Sequence, residues 1–135
     1  MKIEHIAIWV KDIDKVCEFY RKYFGGVVHP IYHNPAKQFT SRFVTFESGA
    51  RLEVMHRPDI DADVGTEAMF HVEHSEHLGY AHLSFSVGSK GEVERLTRQM
   101  SDDGIRVIGE PRTTGDGYYE SVVLDPEGNR VEITI

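Results

Sequence analysis

One phrase occurs twice in this chain, as HIAIWVKDIDKVCEFYRKYFGG from His5 and as HLSFSVGSKGEVERLTRQMSDDG from His82. Each copy opens with alternating apolar residues, the pattern of a strand with one face on a core, and then changes to helical spacing. In the first, Asp12 is placed as an N-cap, Ile13, Val16, Cys17, Tyr20 and Phe24 form the apolar stripe, and Gly25 and Gly26 end the helix. In the second, Ser89 starts the helix, Val93, Leu96 and Met100 form the stripe, and Gly104 ends it. A chain that repeats a strand and helix in this way is constrained to fold as two like modules.

The repeat extends past the helices. FVTFESGARLEVM resembles SVVLDPEGNRVEITI, two strands around a turn, with Gly49 and Gly128 placed for a positive φ. The later turn reads as one residue longer, with Pro126 opening it. GVVHPIYH and GIRVIGE supply one more strand each. The expected class is therefore α+β, with a βαβββ module over residues 1–56 and another over 78–135. Residues 57–77, polar and without steady period, read as a connecting arm within one domain.

At 135 residues and 40% hydrophobic content the chain can bury one good core. Its formal net charge of −7 supplies no basic field for nucleic acid or an anionic membrane surface, so neither is an expected partner. The lone Cys17 lies on the apolar side of the first helix and reads as a buried small residue. No apolar run has the length of a signal peptide or membrane span, and the expected location is the cytoplasm.

Strand parity isolates a chemical pattern. With Ile6, Ile8 and Val10 toward the core, His5, Ala7 and Trp9 share the other face. With Leu52 and Val54 inward, Arg51, Glu53 and Met55 face away. Ala81, Leu83 and Phe85 leave Tyr80, His82 and Ser84, and Val131 and Ile133 leave Arg130 and Glu132. His5 thus matches His82 in the repeat, and Glu53 matches Glu132. Two imidazoles and two carboxylates suit one divalent first-row cation of borderline character per chain, whether Zn²⁺, Ni²⁺, Co²⁺, Mn²⁺ or Fe²⁺, and not calcium or magnesium. Four protein ligands in an octahedral field leave two adjacent positions for a substrate with two neighbouring oxygens. His71, His74 and His77, three apart in the arm, read as solvated residues of a loop.

These segments, from HIAIWV through FYRKYFG and YAHLSF to LDPEGNRVEI, resemble the vicinal oxygen chelate superfamily (the glyoxalase, bleomycin resistance and dioxygenase group), and within it bacterial glyoxalase I. The resemblance covers the whole chain. It implies paired βαβββ modules in a curved mixed sheet, metal on the concave face, and ligands at His5, Glu53, His82 and Glu132. It also implies a homodimer; the site is either built within one chain or, as in the many relatives whose cups combine modules of two chains, from His5 and Glu53 of one subunit with His82 and Glu132 of the other. All four ligand positions are filled, whereas extradiol dioxygenases and fosfomycin-modifying thiol transferases usually fill three. The chain departs from bacterial glyoxalase I at Trp9, where that family carries an arginine that grips glutathione.

The expected activity is a metal-dependent lyase or isomerase of glyoxalase I type, removing a proton from a small α-hydroxycarbonyl or hemithioacetal chelated through two vicinal oxygens. Glu132 is the expected base, because it lies near the end of the chain, and Glu53 the partner carboxylate. Trp9, Met55 and Tyr80 would form an apolar wall, Arg51 and Arg130 would anchor an anion, and Tyr119 rather than Tyr118 would point into the site. An epimerase using the same proton abstraction, or a small-molecule binding or resistance protein, are the alternatives.

Overall fold

The computed structural model describes residues 4–59, 82–115 and 117–135. The chain divides into two compact units, the first holding the described residues up to 59 and the second those from 82 onward. The expected 57–77 arm, with His71, His74 and His77, lies almost wholly outside the described residues.

The first unit runs β1 (Ile6–Trp9), α1 (Ile13–Phe24), β2 (Val27–Val28), β3 (Tyr32–Asn34), β4 (Phe39–Thr45) and β5 (Arg51–His56). The expected strand over GVVHPIYH is two short strands. Pro30 lies in the gap between them, where its missing N–H and fixed φ interrupt the ladder. Both pieces pair with β4, Val28 opposite Val44 and Tyr32 opposite Ser41. β5 lies between β1, to which it is parallel, and β4, to which it is antiparallel.

The second unit repeats the plan as β6 (Leu83–Ser86), α2 (Lys90–Asp102), β7 (Val107–Thr113), β8 (Tyr119–Leu124) and β9 (Arg130–Thr134). Here β9 lies between parallel β6 and antiparallel β8. β7 runs past Pro111 to Thr113, which an outer strand permits, and its register on β8 shifts on both sides of Gly109. Each unit is therefore a βαβββ module with its own mixed sheet, the first carrying an additional short strand.

The helices form where the capping chemistry predicts. Asp12 accepts the Lys15 amide at 2.9 Å and Ser89 accepts the Glu92 amide at 3.3 Å. Gly25 ends α1 in the left-handed region at φ 65°. Gly26 answers a different need, since a Cβ there would stand 2.4 Å from Val44 Cγ1. Each helix lies on one face of its own sheet. Val16, Cys17 and Tyr20 are buried with Val44 and Val54, and Val93, Leu96 and Met100 are buried with Val123, Val131 and Ile133.

The two turns correct the sequence reading. Phe46 to Ala50 and Asp125 to Asn129 are connections of five residues each, so the later turn is not longer. Their hydrogen bonds match: Gly49 N donates to Phe46 O and Phe46 N to Ala50 O, as Gly128 N does to Asp125 O and Asp125 N to Asn129 O. Gly49 and Gly128 take φ of 84° and 83°. In the second turn the buried Asp125 carboxylate also accepts the Glu127 and Asn129 amides, both at 2.9 Å.

Candidate functional site

The registers fix which side chains share the face away from each helix. In the first module Ala7 stands opposite Glu53 and Trp9 opposite Met55, while Phe43 and Ser41 flank the same two positions from β4. His5 precedes β1 by one residue, and its Nε2 is 3.7 Å from Glu53 Oε2. In the second module Ser84 and Val122 flank Glu132. His82 likewise precedes β6 by one residue, with Nε2 3.3 Å from Glu132 Oε2. One imidazole and one carboxylate thus stand side by side in each module, on a central strand and beside the start of its parallel neighbour. Among the described residues no group of three or more His, Cys, Asp or Glu side chains comes together.

The chemistry of each pair fits a cation. A first-row divalent ion binds imidazole nitrogen and carboxylate oxygen at about 2.0–2.2 Å, so two such donors at neighbouring positions stand about 3–3.5 Å apart. The second pair meets that separation, and the first requires only a small side-chain adjustment. Both glutamate side chains are 18% exposed, open enough to accept a ligand and shielded enough to give its charge force.

His5 is held at its Nδ1 and on one ring edge. Glu4 hydrogen-bonds its Nδ1, and Phe43 packs edge-on at a centroid distance of 5.5 Å. Arg51 Nη2 reaches both Glu4 oxygens, at 2.8 and 3.0 Å, and its guanidinium lies 4.1 Å from the Phe43 ring centroid. The bond to His5, and next the bond to Arg51, hold the Glu4 carboxyl below the ordinary carboxylate range. Arg51, expected as an anion anchor, is thereby engaged within the protein. Its buried Nε has no hydrogen-bond partner among the described residues.

Trp9 belongs to an aromatic series on the same face. Phe39 meets it edge-on at 6.1 Å, Tyr32 lies 6.2 Å from Phe39, and the Arg57 guanidinium stands 5.6 Å over the indole. Trp9 is nevertheless 42% exposed, which leaves ring surface for a ligand. Met55 adjoins it across the ladder, and Arg130 lies two residues from Glu132 on the corresponding face of β9. Tyr80 lies outside the described residues.

Tyr119 is a correction. It shares its face with Ser121 and Val123, the side covered by α2, and its hydroxyl donates to Glu94 of that helix at 2.7 Å. Ser121 bonds Thr97 of α2, which fixes the parity of β8. Tyr119 therefore points away from the Glu132 face. Sequence reasoning also missed Glu4, Phe43 and Phe39. Alternation from Glu53 across the ladder could have found the two phenylalanines, but Glu4 carries no periodic signal.

The sequence model of the Glyoxalase/Bleomycin resistance protein/Dioxygenase superfamily matches residues 2–133. An uncharacterized protein of Bacillus subtilis (strain 168), YqjT, is 23% identical over 97% of this chain and 96% of its own. The crystal structure of SMU.1112c has a TM-score of 0.76 at 26% identity, covering 100% of this chain and 98% of that one. Glyoxalase I from Zea mays has a TM-score of 0.76 at 18% identity, with 98% of this chain covered. This chain spans 44% of the maize enzyme's length. No helix among the described residues is long and apolar enough to cross a membrane. With the match running over nearly its whole length, and each module of the family's βαβββ form, the chain belongs to the Glyoxalase/Bleomycin resistance protein/Dioxygenase superfamily.

Proposed function

We propose that His5, Glu53, His82 and Glu132 together bind one divalent first-row cation per chain, and that the protein is a lyase or isomerase of glyoxalase I type. The observation that carries this reading is the recurrence of one His–Glu pair at matching positions of both modules, at 3.7 and 3.3 Å. The fold likeness to solved glyoxalase I enzymes is consistent with it. The cation, when bound, supplies Lewis-acid polarisation of two neighbouring substrate oxygens.

The chain's own residues do the rest. Glu132 accepts the proton from the carbon beside those oxygens at its carboxylate and returns it to the neighbouring carbon. Glu53 stays a ligand. Trp9 and Met55, with Tyr80, line the apolar part of the substrate, and Arg130, two residues from Glu132 on β9, is the candidate for an anionic group. A bulky indole where bacterial glyoxalase I has an arginine favours a thiol less anionic than glutathione.

Methylglyoxal and phenylglyoxal, each premixed with a panel of thiols, test the reading on metal-loaded protein. Thioester formation that requires the metal is the expected result. Solvent hydrogen exchange at the substrate α-carbon without thioester would instead identify an epimerase, and tight binding without exchange a binding protein.

A further inference from the structure

We infer that Glu4 is a positioning residue, which fixes the imidazole of His5 in the tautomer that leaves Nε2 as a metal-ligating lone pair. The inference rests on the reading of His5 as a ligand and concerns how that ligand is prepared. An ionised carboxylate is acceptor-only, so the Glu4–His5 bond requires a proton on Nδ1. A neutral ring then carries its lone pair on Nε2, the nitrogen that faces Glu53.

Glu4 is itself held. Arg51 Nη2 bonds both its oxygens, Arg51 packs on Phe43, and Phe43 packs on His5. The four side chains close a circuit around the imidazole, so that neither the ring nor its carboxylate partner rotates without breaking a contact. Carboxylate partners of this kind set the orientation of a metal-ligating histidine and raise its basicity. The second module has no such device among the described residues. The residue before His82 is Ala81, and Glu132 is the one described partner of that imidazole. Glu4 thus breaks the symmetry of the two pairs and makes His5 the more rigid ligand.

The test uses two readouts on wild type, Glu4→Ala and Glu4→Gln. Nitrogen-15 NMR of histidine-labelled, metal-free protein, recorded over a pH series, reports the tautomer of the neutral ring directly. Wild type is expected to hold His5 as Nδ1–H, Glu4→Ala to admit the Nε2–H form, and Glu4→Gln, whose amide oxygen still accepts, to retain most of the wild-type signature. Competition for Zn²⁺ against a chromophoric chelator should show about 10- to 100-fold weaker binding in Glu4→Ala and a smaller loss in Glu4→Gln. An Nε2–H tautomer in wild type, or Glu4→Ala with an unchanged tautomer, overturns the inference. If wild type itself binds no Zn²⁺, the ligand reading fails while the tautomer still decides what Glu4 does. The Glu4 side chain is 57% exposed, so its replacement leaves the core intact.

Discussion

His82 Nε2 stands 3.3 Å from Glu132 Oε2, and no other hydrogen bond, ion pair or ring contact reaches either side chain from the described residues. His5, by contrast, is gripped by Glu4 and Phe43 as well as facing Glu53. The two modules therefore differ at the imidazole and not at the carboxylate, since Glu53 and Glu132 each have one histidine as partner among the described residues. β9 is bonded on both sides, to β6 and β8, so its place near the chain end gives Glu132 no looser strand, and its choice as base belongs to the proposed function.

Glu132→Gln is accordingly expected to lower turnover about 10²-fold or more while metal is retained, since an amide coordinates but does not take the proton. Glu53→Gln should cost less at equal metal content. Turnover and metal content measured on the same preparations check this. Loss of turnover in Glu53→Gln with activity kept in Glu132→Gln would reverse the two roles.

Trp9 offers exposed ring surface beside Met55, and the proposed function makes it a binding contact. Trp9→Ala should raise KM about ten-fold with kcat nearly unchanged, the behaviour of a contact made equally in ground and transition states. Steady-state kinetics with the best aldehyde–thiol pair decide it, and a fall in kcat at constant KM would place Trp9 in the chemistry instead.

Much of this arrangement was legible in the sequence, because a period of two fixes which residues share a sheet face. Parity put His5, Glu53, His82 and Glu132 on the faces turned away from their helices, though not which strands adjoin, and the caps Asp12 and Ser89 followed from residue type and position. Two features were not legible. The direction of Tyr119 depended on where β8 begins relative to Ser121, and a strand's first residue carries no alternation of its own. The clamp on His5 joins Glu4, Phe43 and Arg51 from three separate segments, and such long-range side-chain contacts leave no local pattern.

A homodimer is expected in solution. Val27, Ile31 and Tyr32, on or between the short strands β2 and β3, are 61%, 57% and 54% exposed, more apolar surface than an outer sheet region usually leaves to water. Light scattering at micromolar concentration should give twice the chain mass, and Ile31→Glu should shift the protein toward monomer. A wild-type monomer at that concentration would contradict the expectation.

Cys17 is 1% exposed, and burial pushes its thiol up to about 11. It should resist a thiol-specific chromogenic reagent at about pH 8 in the native state and react fully in denaturant. In the unfolded chain the thiol ionises near about 8.5, below its folded value, so thiolate formation favours unfolding. Its contribution to stability is intact below that pH and is lost as pH rises toward 11. Cys17→Ala should remove this part of the alkaline loss, as denaturant titrations across that range would show.

The proposed function requires the two His–Glu pairs to act as one ligand set. Zinc competition on dialysed, chelator-treated protein measures this most directly, with stoichiometry and affinity read together for wild type and for His5→Ala, Glu53→Ala, His82→Ala and Glu132→Ala. One equivalent per chain, weakened substantially by a change in either module, is the predicted result. Absence of binding, or binding that loses affinity on changes in one module and ignores the other, would contradict it.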